Sequence, residues 1–159
     1  MHLKYEIIVL GIILFFAVII AWQDWRQGEF WDWQILCLAI PVCVLSYWRQ
    51  GLVPLLWGGS LALMLNLIIY FSVYWFYGGE GYGQGDVLLM TVAGCYFGSW
   101  SYLDYFILWT FAMGFLAIIY CFWEKNIKAE LRLAPFILGG AAIFEILGRP
   151  DFLTWLTNL

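Results

Sequence analysis

The sequence is poor in charge and has a single histidine. Seven Lys or Arg and eleven Asp or Glu make up only 11% of its 159 residues, and His2 is the sole histidine. A soluble domain usually carries about 25% charged residues, so this composition argues against a soluble globular fold. Disorder is excluded because 65% of the residues are hydrophobic and supply abundant apolar surface. The net charge of −4 provides no basic patch for nucleic acid. The remaining class is an integral membrane protein.

Closely spaced metal ligands are also missing. The four cysteines form no C-x-x-C pair and lie in apolar runs, at Cys37, Cys43, Cys95 and Cys121. A zinc site needs ligands at close spacing, whereas isolated cysteines in apolar segments behave as small hydrophobic residues. We therefore interpret them as packing residues and expect neither a metal nor another cofactor.

Six apolar runs follow one another along the chain. They cover Tyr5–Trp22, Trp33–Trp48, Leu52–Tyr77, Val87–Trp100, Tyr102–Trp123 and Leu133–Leu147. A helix needs about 20 apolar residues to cross a bilayer. The pattern predicts an all-α integral membrane protein, a bundle of about six transmembrane helices, with residues 1–159 forming a single transmembrane domain. No small-x-small cleavage site follows the first run, so we expect a retained span and not a signal peptide. A last amphipathic segment, Phe152–Leu159, is expected at the membrane interface.

The loops after spans one, three and five share one side of the membrane. They carry four Lys or Arg against three on the other side, so the positive-inside rule places them in the cytoplasm. The four are Arg26, Lys125, Lys128 and Arg132. We interpret the last three as topology signals or lipid contacts. Asp104, at the start of the fifth run, is interpreted as an interface or N-cap residue.

Five of the eleven acids lie in two of these loops. Asp24, Glu29 and Asp32 follow the first span, and Glu80 and Asp86 lie between the third and the fourth. Because two spans separate the groups, an even number of crossings brings both to one face. Two carboxyls held close in a partly dry site share a proton, and one can activate water while the other donates to a peptide carbonyl. Solvated loop charges are the alternative interpretation.

Glycines crowd the second of these loops. Five of the nine residues in Gly78–Asp86 are glycine, which permits positive φ and close backbone approach. Such a loop could hold an extended substrate through main-chain hydrogen bonds, and a plain flexible turn is the alternative. No strand precedes the loop, so it is not a dinucleotide-binding fingerprint.

Three sequence blocks resemble the type IV prepilin peptidases, which are membrane aspartic proteases. Gly83-Gln84-Gly85-Asp86 matches their Gly-x-Gly-Asp motif, within a wider similar block over Glu80–Val87. Asp24–Asp32 resembles the pattern Asp-x-Arg-x-x-x-Ile-Pro-Asn/Asp, and Ala134–Phe136 resembles a Pro-Phe motif that opens the last span. By this resemblance Asp24 and Asp86 are the catalytic pair.

The resemblance also implies supporting residues, a reaction and its place. Arg26 and Glu80 match motif positions and are expected to support the pair, while Gly83 and Gly85 belong to the motif itself. The implied reaction removes the short basic leader of a prepilin or pseudopilin, just before an apolar helix. It takes place at the cytoplasmic face of the bacterial inner membrane. The implied partners are that substrate and membrane lipid.

The charge of the two acidic loops fits a basic leader. Together the loops hold five acids and one base, and opposite charge attracts a partner toward such a surface. Glu29 and Asp32 are therefore expected to help to recruit the leader. The apolar helix of the substrate is expected to arrive laterally within the bilayer.

The sequence departs from the family pattern at three positions. Leu88 stands where the family usually has Lys, Trp31 replaces Pro, and Tyr82 replaces Met. A cation at position 88 would stabilise ionised Asp86, so its absence predicts either a raised pKa for Asp86 or a divergent enzyme. Larger members carry a cytoplasmic domain with paired C-x-x-C motifs. This chain resembles the short form, and methylation of the new N-terminus is not implied.

Two other function classes compete with the peptidase. In the first, a non-catalytic membrane assembly protein uses the acids to bind a basic leader segment. In the second, a small transporter lines a path with acids, but Glu6, Asp104 and Glu145 lie near span ends. Serine catalysis has no support, because the serines lack a nearby histidine or a convincing lysine partner. The acid pair and the motif blocks favour the peptidase and specify neither the particular substrate nor an oligomeric state.

Overall fold

Six helices make up the described structure. The computed structural model describes residues 2–77, 83–124 and 132–148, and these residues contain helices and no strand. The helices are α1 (His2–Gln27), α2 (Asp32–Gln50), α3 (Leu52–Tyr77), α4 (Gln84–Phe97), α5 (Ser99–Glu124) and α6 (Ala134–Ile146). The predicted all-α class is confirmed for them. Glu80, Lys125, Lys128 and the segment Phe152–Leu159 lie outside the described residues.

Helix α1 extends beyond the first apolar run. The run ends at Trp22, but α1 continues to Gln27. Gly28 then takes a φ of 76° and donates its N–H to the carbonyl oxygen of Asp24 at 2.8 Å. Glycine tolerates this left-handed conformation, which commonly ends helices. Asp24 therefore lies inside the last turn of α1, whereas the sequence prediction put it two residues beyond the span.

A glycine also moves the boundary between α4 and α5. Gly98 has a φ of 76° and ends α4, and α5 begins at Ser99. The predicted fourth run, Val87–Trp100, therefore includes the start of the next helix. Asp104 lies in the second turn of α5 and is only 5% exposed. The interpretation of Asp104 as an interface or N-cap residue is wrong, because the helix begins earlier than the apolar run.

Contacts at the two ends of the bundle show that consecutive helices run antiparallel. Gln34 Nε2, near the start of α2, donates to Gln23 Oε1, near the end of α1, at 2.6 Å. We call this the site end; it combines the C-terminal ends of α1 and α3 with the N-terminal ends of α2, α4 and α6. At the opposite end, the clamp end, Arg49 of α2 pairs with Glu6 of α1 at 3.9 Å and Glu145 of α6 at 3.4 Å.

Small residues allow α3 and α4 to pack closely. A Cβ added at Gly94 of α4 would collide with the Ala62 side chain and the Gly58 backbone of α3. Small residues at helix contacts are typical of membrane proteins, where close van der Waals packing drives association. This contact holds α4 against α3 and so positions Asp86, which lies in the first turn of α4.

Two described helices are long and apolar enough to cross a bilayer. They are Tyr5–Gln27, with a mean hydropathy of 2.6, and Leu52–Phe76, with a mean hydropathy of 2.0. Only 6% of the most apolar window of Tyr5–Gln27 is buried inside the protein. A soluble monomer rarely exposes an apolar surface of that extent. These helices agree with the predicted integral membrane protein, while the number of six spans and the single domain over residues 1–159 stay predictions.

Candidate active site

Asp24 is a buried carboxyl held by the start of α6. Its side chain is only 5% exposed, and its Oδ2 accepts a hydrogen bond from the backbone N–H of Ala134 at 3.1 Å. Ala134 is the first residue of α6, and Pro135 follows it. The first N–H groups of a helix lack intrahelical partners and carry partial positive charge. The segment that resembles the Pro-Phe motif thus provides a donor for Asp24.

Arg132 places a cation beside Asp24. Its Nη1 donates to the backbone carbonyl oxygens of Asp24 at 2.7 Å and Trp25 at 3.1 Å. These carbonyls belong to the last turn of α1, where carbonyl groups have few intrahelical donors; that of Asp24 also accepts the N–H of Gly28. The sequence interpretation of Arg132 as a topology signal or lipid contact missed this position. Burial opposes ionisation of Asp24, whereas the Ala134 N–H and the Arg132 charge favour its carboxylate form.

Asp86 is the third residue of α4 and faces the same site. Its Oδ2 accepts a hydrogen bond from the N–H of Gly83, the N-cap residue, at 3.2 Å. Asp86 lies outside both candidate spans, and burial raises the pKa of its carboxyl to about 6. The Gly83 hydrogen bond opposes this rise, while the negative charge of Asp24 adds to it. The two carboxyls therefore interact, although two helices separate them along the chain.

A close contact joins the two motif segments. The ring of Phe30, which follows α1, lies against Gly85 of α4, and a Cβ at Gly85 would lie only 2.7 Å from Phe30 Cζ. Such a distance is too short for two carbon atoms, so a side chain at position 85 would displace the Phe30 ring. The second glycine of the Gly-x-Gly-Asp motif thus lets the segment after α1 pack against the start of α4.

The remaining predicted site residues lie around this pair. Arg26 is exposed and its Cζ lies 4.9 Å from the centroid of the Trp22 ring. Glu29 and Asp32 are exposed at the site end. Glu80 lies outside the described residues, so its supporting role stays a prediction. The cation that acts on Asp24 in this structure is Arg132, which the sequence analysis did not place at the site.

Leu88 marks the departure from the family pattern. Its side chain is 43% exposed and carries no charge. The raised pKa of Asp86 has burial as its main cause, and the position that usually carries Lys provides no cation to oppose it. The arrangement therefore favours a protonated Asp86 in mildly acidic conditions.

The site combines a carboxyl with charge-stabilising partners and a carboxyl that retains its proton more readily. One such group can accept a proton from water while the other donates a proton to a carbonyl oxygen. Among the residues that the structure describes, no group of three or more His, Cys, Asp or Glu side chains is placed to hold a metal ion. The described residues thus place Asp24 and Asp86 at the same end of the bundle, near enough for the charge of one to act on the other.

Comparison with known proteins identifies a family. A sequence model described as the Type IV leader peptidase family matches residues 11–122. No curated protein and no solved structure matches the chain. The matched region contains α2, α3 and α4 in full together with Asp24 and Asp86, and it covers well over half of the sequence. The chain therefore belongs to the type IV leader peptidase family.

Proposed function

We propose that this protein is an aspartic endopeptidase that removes the short basic leader of prepilins or pseudopilins, with Asp24 and Asp86 as its catalytic residues. The members of its family are peptidases. The observation that carries the proposal is the interaction of two carboxyls from α1 and α4, in which the charge of Asp24 raises the pKa of Asp86. Like charges that share a site in this way keep one proton between them.

The surroundings of the two carboxyls assign their roles. Asp24 accepts the Ala134 N–H, and Arg132 binds the backbone carbonyl of Asp24, so we assign Asp24 as the group that takes a proton from the attacking water. The water oxygen bonds to the peptide carbon, and Asp86 gives its proton to the carbonyl oxygen. When the C–N bond breaks, the proton on Asp24 passes to the leaving amine. The carbonyl re-forms as its hydroxyl proton returns to Asp86.

The exposed acids of the site end suit a basic leader. Glu29 and Asp32 are exposed beside the pair, and clustered charge of one sign attracts an oppositely charged segment. We place this end at the cytoplasmic face of the bacterial inner membrane, in keeping with the positive-inside rule. The leader then approaches from water while the apolar helix of the substrate stays in the bilayer.

Co-expression with a candidate prepilin tests the proposal. Wild type is compared with Asp24→Asn and Asp86→Asn, and Glu6→Gln is the control because Glu6 is a partly exposed acid at the clamp end, away from the pair. Leader removal is followed by gel mobility and mass spectrometry, and membrane insertion of each variant is quantified. We expect both dyad variants to insert normally and to lose turnover by at least about 100-fold, the usual contribution of an acid or base. A membrane assembly protein that only binds leaders would tolerate at least one of the two changes.

A further inference from the structure

An apolar cavity begins about one helical turn from Asp86 and from Ala134, whose N–H binds Asp24. Its volume is about 330 Å³, and α1, α2, α4 and α6 line it. On α4 the lining begins at Leu89, three residues after Asp86, and on α6 it begins at Ile137, three residues after Ala134. Three helical residues rise about 4.5 Å. Along α4 and α6 the cavity therefore begins about one turn below the candidate active site.

The lining of the cavity is polar only at the end that is far from the two carboxyls. Tyr96 and Glu145 are its polar lining residues, and both lie at the clamp end. Arg49 Nη1 donates to Tyr96 Oη at 3.2 Å and to Glu145 Oε1 at 3.4 Å. The rest of the lining is aliphatic or aromatic, so an occupant beside the carboxyls must be apolar.

Exposed lining residues show where the cavity reaches the surface. Leu14 of α1 is 58% exposed and Ile146 of α6 is 82% exposed, and both line the cavity. The cavity thus meets the apolar outer face of the bundle along α1 and α6. An occupant can enter from the bilayer without passing through water.

The volume limits what can enter. An engineered apolar cavity of about 150 Å³ holds one benzene ring, so this cavity has room for about two large side chains. A whole helix is about 10–12 Å wide and does not fit inside. The occupant therefore inserts side chains from one face and keeps its backbone at the rim.

We propose that this cavity binds the side chains on one face of the apolar segment that follows the cut peptide bond in the substrate. The inference rests on the proposed function and names its substrate-binding surface. The exposed acids Glu29 and Asp32 attract the basic leader to the outer side of the dyad, so the chain beyond the cut bond continues toward the bilayer. The cavity lies on that side of the pair, beginning one turn further along α4 and α6, and presents matching apolar chemistry.

Filling the cavity tests this proposal. Ala141 of α6 and Ala17 of α1 line it from two sides, and Ala112 of α5 is exposed and outside it. We compare Ala141→Phe and Ala17→Phe with the matched control Ala112→Phe in the full chain, using a prepilin-type substrate reconstituted in phospholipid vesicles. We expect each cavity variant to lower kcat/KM at least tenfold, mainly through KM, while the control stays within twofold of wild type.

A complementary change in the substrate separates occupancy from misfolding. Large apolar residues in the first two turns after the cut bond are replaced by Ala, which makes room for the added ring. We expect these substrates to recover at least half of the lost kcat/KM with Ala141→Phe or Ala17→Phe. Variants that cleave the unaltered substrate as well as wild type overturn the inference, and so does a loss that none of the smaller substrates restores.

Two further outcomes identify which proposal has failed. If native mass spectrometry shows that Ala141→Phe displaces a bound phospholipid while cleavage stays unchanged, the cavity is a lipid site and the inference is wrong. If wild type cleaves no prepilin-type substrate while the Asp86→Asn variant binds it equally well, the proposed peptidase function fails, and the inference fails with it.

Discussion

The acidic side chains at the two ends of the bundle differ in their exposure and in their ion pairing. At the clamp end, Glu6 and Glu145 are partly exposed and pair with Arg49. At the site end, Asp24 is buried and Asp86 is partly buried, and within the described part of the chain neither forms a side-chain ion pair. Ion pairs at partly exposed positions contribute little more than about 1 kcal/mol each. Burial without such pairing perturbs the protonation of a carboxyl, which is a property of catalytic groups.

The comparison shows that charge alone does not identify the functional end. Both ends contain carboxyls and an arginine, but their arginines bind different groups. Arg49 binds acidic side chains and a tyrosine hydroxyl, whereas Arg132 binds backbone carbonyls and leaves the Asp24 carboxyl available. The site end therefore keeps a carboxylate beside a cation without neutralising it in a direct pair.

The largest expected difference between the ends is the loss of turnover on neutralising an acid. Asp86→Asn should reduce leader cleavage by at least about 100-fold, because the general acid and its share of the proton are lost. Glu6→Gln at the clamp end should change kcat less than threefold. Cleavage of a purified substrate in vesicles measures both. An equal loss at the two ends would contradict the assignment of the site.

The next effect concerns the glycine that joins the two motif segments. Gly85→Ala places a methyl group against Phe30, so we expect about a tenfold to hundredfold loss of kcat as the dyad shifts. The matched control is Gly139→Ala, since a Cβ at Gly139 meets nothing within 4 Å. Combining Gly85→Ala with Phe30→Ala should restore part of the activity. A double variant no better than the single one would contradict the steric explanation.

Substitution of Arg132 should lower activity, whereas substitution of Arg49 should lower stability. Arg132→Gln removes the charge beside Asp24 and should lower kcat/KM about tenfold, with Arg132→Lys intermediate, because Lys keeps the charge and loses the forked geometry. Arg49→Gln should leave kcat within about twofold and lower the free energy of unfolding by about 1 kcal/mol. Cleavage assays and thermal unfolding in detergent measure the two effects. Loss of activity in Arg49→Gln with Arg132→Gln unaffected would reverse the roles of the two ends.

The pH dependence provides a smaller and more specific test. Asp86 must be protonated to donate, and its pKa is raised to about 6, so kcat/KM should fall about tenfold per pH unit above about 6. Glu145→Gln should leave this profile unchanged. A profile that stays flat from pH 5 to 8 would contradict the role of Asp86 as the proton donor.

The stability of the folded protein should also depend on the ionisation of Asp86. The pKa of Asp86 rises from its ordinary value of 3.8 to about 6 on folding, so its contribution is fully stabilising below about pH 4. That contribution is lost as pH rises through 6. The Asn side chain of Asp86→Asn cannot ionise. The melting temperature of this variant minus that of wild type should therefore increase between pH 4 and 7. If this difference in melting temperature is the same at both pH values, Asp86 titrates normally in the folded protein.

Much of the site could be predicted from residue order. Counting the spans between Asp24 and Asp86 placed both acids on one face, and the Gly-x-Gly-Asp segment indicated the family that the comparison identifies. The helix limits were less accurate, because apolarity does not reveal where a glycine turns the chain. Gly28 and Gly98 end their helices through backbone conformation, so Asp24 lies inside α1 and Asp104 is buried within α5.

Residue order specifies the helical class, the apolar character of the helices and the end of the bundle at which Asp24 and Asp86 lie. These properties depend on local composition and on the number of chain crossings. Helix packing adds that Arg132 and Ala134 contact Asp24, that Phe30 covers Gly85 and that α1, α2, α4 and α6 enclose an apolar cavity. Those contacts join distant segments, and they depend on how the helices pack in three dimensions.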